Sequence, residues 1–124
     1  MKHILIVDDE QDVLNSLGSL LRRSGYHVWA VDTGTEGLNV AKREKPDLII
    51  LDLILPDVDG SDVAAELLNH KDTHDIPIIF LTSMVRKDEQ LSGGPMVAKR
   101  CILAKPCHSD EIMDLVKSRI GSAE

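Results

Sequence analysis

Four short stretches of the chain are apolar at successive positions: Ile4-Leu5-Ile6-Val7, Leu48-Ile49-Ile50-Leu51, Ile78-Ile79-Phe80-Leu81 and Cys101-Ile102-Leu103-Ala104. Alternating positions would mark strands with one wet face. Unbroken apolar runs instead predict strands covered on both faces, as in a parallel sheet lying under helices. A fifth run, Tyr26 to Val31, includes His27 and predicts a strand nearer an edge. Between these runs the apolar positions change period. Val13, Leu14, Leu17, Leu20 and Leu21 form one helical stripe between Glu10 and Ser24, with Arg22 and Arg23 in the last turn and Gly25 placed to stop it. Thr33 followed by Glu36 reads as a capping box opening a second helix, which must end before Pro46. Val63, Ala64, Leu67 and Leu68 mark a third, and Ile112, Met113, Val116 and Ile120 mark the last. Between Ser83 and Ala98, Gly93-Gly94-Pro95 interrupts any helix, so a helix there is expected to be short.

Strand and helix alternate five times. That pattern predicts an α/β fold, a doubly wound five-stranded parallel sheet with helices on both faces. The length of 124 residues fits one domain, read as 1–124 with its core at about 2–120. Hydrophobic residues make up 43% of the chain but include one Phe, one Tyr and one Trp, so the core must be aliphatic. With 14 basic against 21 acidic residues, the net charge of −7 argues against a direct nucleic-acid face and against an anionic membrane surface. No apolar run reaches the length of a membrane span, and the run after Met1-Lys2-His3 is too short for a signal peptide. Cys101 and Cys107, outside any CxxC motif, read as reduced packing thiols of a cytoplasmic protein.

In this architecture ligands bind beyond the carboxyl ends of the strands. Asp8 and Asp9 follow the first strand, Asp52 the third, Thr82 the fourth and Lys105-Pro106 the fifth. Three carboxylates, a hydroxyl and an ammonium are thereby expected at one rim. Two like charges about 4 Å apart repel by roughly 4 kcal/mol at an effective dielectric of 20. A raised pKa or a bound cation relieves that repulsion, and for a cation hard oxygen ligands suit Mg²⁺, or Mn²⁺ in its place. The site reads as built for a metal and a phosphoryl group together. Taken singly these features are ordinary: Asp8-Asp9 and Thr82 could each be no more than helix caps. Their order, each at the end of a different strand, carries the reading.

The set Val7-Asp8-Asp9-Glu10, Asp52 with Pro56-Asp57-Val58-Asp59-Gly60, Thr82-Ser83 and Lys105-Pro106 resembles the signature of receiver domains of response regulators in two-component signalling. The resemblance spans nearly the whole chain and implies the flavodoxin-like strand order 2-1-3-4-5. It also implies roles. Asp52 would accept the phosphoryl group from a histidine kinase or histidine phosphotransfer protein. Asp8, Asp9, Asp52 and the backbone carbonyl of Ile54 would hold Mg²⁺. Thr82 and Lys105 would bind phosphoryl oxygens, Ser83 would leave access, and Pro106 would aim Lys105 into the site. Such a chain is a switch and not a turnover enzyme, catalysing only its own phosphoryl transfer and slow dephosphorylation. An output domain, a downstream protein or a phosphorylation-dependent homodimer would read its state.

The sequence departs from that pattern at Ile102, where relatives carry Tyr or Phe, and at Cys107, where Phe is common. The usual output route through a rotating aromatic ring is therefore missing. This motivates an alternative: a pseudo-receiver, a protein-interaction module of the same fold that is not switched by phosphate through that route. A small Mg²⁺-dependent phosphatase would want a second acid two residues beyond the nucleophile, where Ile54 stands, and a flavin protein would want a phosphate-binding loop after the first strand. His70 and His74 have helical metal-clamp spacing, but the surrounding Asp72-Thr73 and Pro77 read as loop. Asp57 and Asp59 read as loop acids and caps.

Overall fold

The computed structural model describes residues 2–82, 101–104 and 109–121, with the backbone alone described for Thr82, Cys101–Ala104 and Ser109. The segment expected to hold a short fourth helix lies outside the described residues. So do Ser83, Lys105, Pro106 and Cys107.

The elements run β1 (His3–Val7), α1 (Gln11–Arg23), β2 (His27–Val31), α2 (Gly34–Glu44), β3 (Leu48–Leu51), α3 (Gly60–Leu68), β4 (Ile78–Thr82), β5 (Cys101–Ala104) and α4 (Ser109–Ile120). All strand pairs are parallel, and the sheet order is β2-β1-β3-β4-β5. This is the doubly wound, flavodoxin-like order that the resemblance implied. β2, the run containing His27, is an edge strand.

Why the runs are unbroken is visible in the layering. Ile4, Ile6, Leu48, Ile50, Ile79 and Leu81 face one side of the sheet, against Leu14, Leu17 and Leu21 of α1 and Ile112 and Val116 of α4. Leu5, Val7, Ile49, Leu51, Ile78 and Phe80 face the other, against Val40 and Ala41 of α2 and Val63, Ala64 and Leu67 of α3. Every position of β3 is 0–1% exposed. Each such side chain contributes roughly 1.5–3 kcal/mol by leaving water, so the central strands are rigid supports for the polar residues at their tips.

The helix ends follow local chemistry. α1 stops in a Schellman arrangement: Gly25 (φ 99°) donates its N–H to the Arg22 carbonyl, and Tyr26 donates to that of Leu21. The Tyr26 hydroxyl then donates to the Gly121 carbonyl at 2.7 Å, tying the start of β2 to the end of α4. α2 opens as expected, with the Thr33 hydroxyl accepting from the Glu36 N–H at 3.2 Å. It ends at Lys45, the one described non-glycine residue with positive φ (49°).

Lys45 holds a left-handed conformation that costs an L-residue roughly 1–2 kcal/mol, only partly offset by the greater unfolded-state freedom of glycine. Its exposed ion pair with Asp72, at 3.9 Å, contributes little. Lys45→Gly is expected to raise stability by about 0.5–1 kcal/mol in urea denaturation, and a loss of stability would contradict this account.

Candidate functional site

The register of the sheet brings the predicted acids together. β1 and β3 pair Val7 with Leu51, so the next residues along, Asp8 and Asp52, stand side by side. Both continue the ladder by one hydrogen bond. Asp8 N–H donates to the Val31 carbonyl at 3.1 Å, and Asp52 N–H donates to the Val7 carbonyl at 2.9 Å. Side chains alternate along a strand, so Asp8 shares the face of Ile4 and Ile6 and Asp52 that of Leu48 and Ile50, which is one face of the sheet.

Asp8 and Asp52 are 1% and 4% exposed, while Asp9 and Glu10 are exposed at the opening. One carboxylate oxygen from each of these four residues lies within 4.8 Å of the others. Two backbone donors orient the buried pair: Glu10 N–H donates to Asp8 Oδ1 at 2.9 Å, and Ile54 N–H donates to Asp52 Oδ1 at 3.2 Å. Asp8, Asp9 and Asp52 are the acids expected at this rim; Glu10 joins them without having been expected, and its place in the Val7–Glu10 motif is the signal that pointed to it.

Two ionised carboxylate oxygens no farther apart than 4.8 Å repel by at least about 3.5 kcal/mol at an effective dielectric of 20. The donor set is entirely hard oxygen. Oxygens of a Mg²⁺ octahedron lie about 3–4 Å apart, so small side-chain rotations or an intervening water fit these groups to that ion. The residues present therefore suit a divalent cation.

The other predicted residues are placed in part. Thr82 closes β4 and pairs in register with Ala104, the last residue of β5. Its side chain, like the whole of Ser83, Lys105 and Pro106, lies outside the described residues. Ile54 stands two positions beyond Asp52 and is 52% exposed. Ile102 pairs with Phe80 within the sheet, described by its backbone alone.

The loop after Asp52 is held closed. Ile54 and Asp59 form an antiparallel bridge, and Gly60 N–H donates to the Leu53 carbonyl at 2.8 Å. A Cβ on Gly60 would fall on the carbonyl oxygen of Asp52 and 2.7 Å from Leu53 Cα, so only glycine lets α3 start against the backbone of Asp52. Asp57 acts as a cap, as expected, but its helix is α2. Its carboxylate accepts from Gly34 N–H at 2.9 Å, from Thr35 N–H at 2.9 Å and from the Thr35 hydroxyl at 2.6 Å. Those bonds, the Thr35 hydroxyl foremost, hold the exposed Asp57 carboxyl down to about 2 from its usual 3.8.

Comparison with known proteins agrees with this geometry. The family model of the response regulator receiver domain matches residues 4–117. The chain belongs to that family. The alkaline phosphatase synthesis transcriptional regulatory protein PhoP of Bacillus subtilis (strain 168) is 37% identical over 123 residues, 99% of this chain and 50% of that protein. This chain thus spans about half the length of that relative. The polar-differentiation response regulator DivK of Brucella ovis is 30% identical over 124 residues, 98% of each chain. Among solved structures, the receiver domain of the sensor histidine kinase PA1611 from Pseudomonas aeruginosa PAO1 superposes with a TM-score of 0.84 at 28% identity, covering 98% of both chains. That crystal structure has a magnesium ion coordinated in its active site cleft.

The closed loop makes two outcomes measurable. Gly60→Ala should destabilise the protein by about 1–3 kcal/mol, since backbone and not a pliable side chain must move, and should shift the Asp52 amide resonance; an unchanged spectrum would contradict the close approach. Asp57 contributes stability that is present above its unfolded value of 3.8 and lost as pH falls through about 2. Carboxyl-detected NMR should read about 2 for Asp57, and Thr35→Val should move that titration upward.

Proposed function

We propose that this chain is a phosphorylation switch in which Asp52 accepts a phosphoryl group from a histidine kinase or histidine phosphotransfer protein, with Mg²⁺ or Mn²⁺ held by Asp8, Asp9, Asp52 and the Ile54 carbonyl. The supporting observation is the register that sets Asp52, buried at the end of β3, beside Asp8 at the end of β1, with exposed Asp9 at the opening. The magnesium in the cleft of the PA1611 receiver, on the same fold, supports the same choice of ion.

The chemistry asked of the chain is positioning. A carboxylate oxygen of Asp52 bonds to phosphorus as the donor's phosphorus–nitrogen bond breaks, leaving an acyl phosphate and a neutral donor histidine. The Ile54 N–H fixes the rotation of the attacking carboxylate. Thr82, closing β4, and Lys105, next in sequence after β5, supply the hydroxyl and the ammonium for phosphoryl oxygens, and Pro106 aims the lysine. The cation supplies charge neutralisation for the incoming phosphoryl oxygens among the acids. Small Ser83 leaves the pocket accessible. Residues 1–124 act as one cytoplasmic domain, whose state is read by an output domain, a downstream partner or a second copy. No helix among the described residues is long and apolar enough to cross a membrane.

Ile102, in register with Phe80, favours a second reading for the output alone, a pseudo-receiver whose partner binding ignores phosphate. Beryllofluoride should separate the two: chemical-shift changes confined to the pocket favour the pseudo-receiver, and changes reaching Ile102 favour the switch.

Incubation with a small acyl phosphate should label the protein only when Mg²⁺ is present, and Asp52→Asn should reduce labelling to background. Asp9→Asn should weaken Mg²⁺ binding on the order of tenfold, about 1.4 kcal/mol, in a fluorescence or calorimetric titration. Full labelling of the Asp52→Asn protein, or labelling indifferent to chelator, would overturn the proposal.

A further inference from the structure

At the opposite, amino-terminal end of the same strands lies a second constellation that the phosphoryl chemistry does not use. His3 and His27 are register partners on the parallel strands β1 and β2. Residues i and i+2 of a strand share a face, so Trp29 stands beside them. The imidazole centroids of His3 and His27 are 4.9 Å apart, and the Trp29 ring lies 5.1 Å from the first and 4.7 Å from the second. His27 is exposed, while His3 and Trp29 are half-buried, so the cluster opens to solvent along the edge strand.

We propose that His3 and His27 chelate a borderline divalent transition ion, of the class of Zn²⁺, Ni²⁺ or Cu²⁺, over the Trp29 ring. Geometry is the first support. With metal–nitrogen bonds of about 2.1 Å, two imidazoles in adjacent positions around one ion have centroids about 5 Å apart. The pair already has that spacing. The backbones that carry it are fixed from both sides. His3 N–H donates to Asp47 Oδ2 at 2.8 Å and Asp47 N–H donates back to the His3 carbonyl at 2.8 Å, while His27 N–H donates to the Lys2 carbonyl at 2.9 Å. Little backbone ordering is then left for the ion to impose.

Chemistry is the second support. Neutral imidazole selects Zn²⁺, Ni²⁺ and Cu²⁺ over Mg²⁺ and Ca²⁺, which take the oxygen set at the far end of the strands. The other described histidines are engaged differently. His70 Nδ1 accepts from the Asp72 N–H at 3.1 Å, and His74 Nδ1 lies 3.0 Å from Asp75 Oδ1. Their helical spacing therefore does not make a clamp, since both lie in the turn after α3.

The test uses Trp29, the single tryptophan of the chain, as its reporter. The intact protein is held in excess Mg²⁺, which fills the carboxylate cluster, and titrated with Cu²⁺ or Ni²⁺ while tryptophan fluorescence is monitored. Saturable quenching at one equivalent is expected. His27→Gln, an exposed position that leaves the core untouched, and His3→Gln should each move the midpoint by about tenfold or more, because two-point attachment becomes one-point. His70→Gln/His74→Gln should leave it unchanged. Zn²⁺ should also raise the thermal midpoint of the parent and not of His27→Gln. Quenching with the parent midpoint in His27→Gln, or its loss in the His70→Gln/His74→Gln protein, would overturn the proposal. Because Mg²⁺ is saturating throughout and Asp52 is untouched, the outcome does not depend on whether Asp52 accepts phosphate.

Discussion

The pairing of β1 with β3 is the constraint on which the site depends. Buried carboxylates repel each other and prefer water, and a flexible chain would hold Asp8 and Asp52 apart. Here each is the residue after a strand whose last position is 0–1% exposed, and each backbone is pinned by a further ladder bond. The apolar burial of β1 and β3 is large beside the repulsion of one charge pair, about 3.5 kcal/mol, so the sheet decides where the acids stand. The strained cluster is in turn what makes a divalent cation welcome. A register slip of one residue would turn one acid to the opposite face of the sheet and dissolve the site.

A second layer of constraint surrounds Asp52. Its loop closes on itself through the Ile54–Asp59 bridge, α3 starts directly against its carbonyl, and Asp57 reaches across to the first turn of α2. Gly34, at that first turn, faces Val58 so closely that a Cβ would fall on its Cγ2. The segment after Asp52 is thereby locked to two helices at once. Any displacement of Asp52 must be transmitted to α2 or α3, or must break the bonds that Asp57 makes.

The strands and the acid cluster were legible because both rest on short-range rules. An unbroken apolar run implies burial on both faces, and a polar residue directly after it must lie at the strand tip. Capping at Thr33 and the stop at Gly25 were legible for the same reason. What sequence could not give was anything set by packing between distant segments. Asp57 was readable as a cap, but its helix lies 23 residues earlier in the chain, and nothing local says so. The pairing of His3 with His27 likewise depends on the β1–β2 register, which neither run encodes alone. Glu10 sat in plain view beside Asp9, yet its carboxylate joins the cluster only through the turn that Asp8 Oδ1 imposes on it.

β1 carries reactive groups at both ends, an imidazole at its first residue and a carboxylate just beyond its last. Five steps of about 3.3 Å separate them by roughly 16 Å, about twice the screening length at physiological salt. A charge placed at one end is therefore felt weakly at the other through space. The intervening strand is fully packed and has no second arrangement evident in its burial, with Ile4 through Val7 all at 0–1% exposure. Coupling between the two ends would need a bistable element that this strand does not offer. One sheet thus presents two sets of donor groups, carboxylate oxygen at the carboxyl ends and imidazole at the amino ends, separated by the rigidity that assembles each of them.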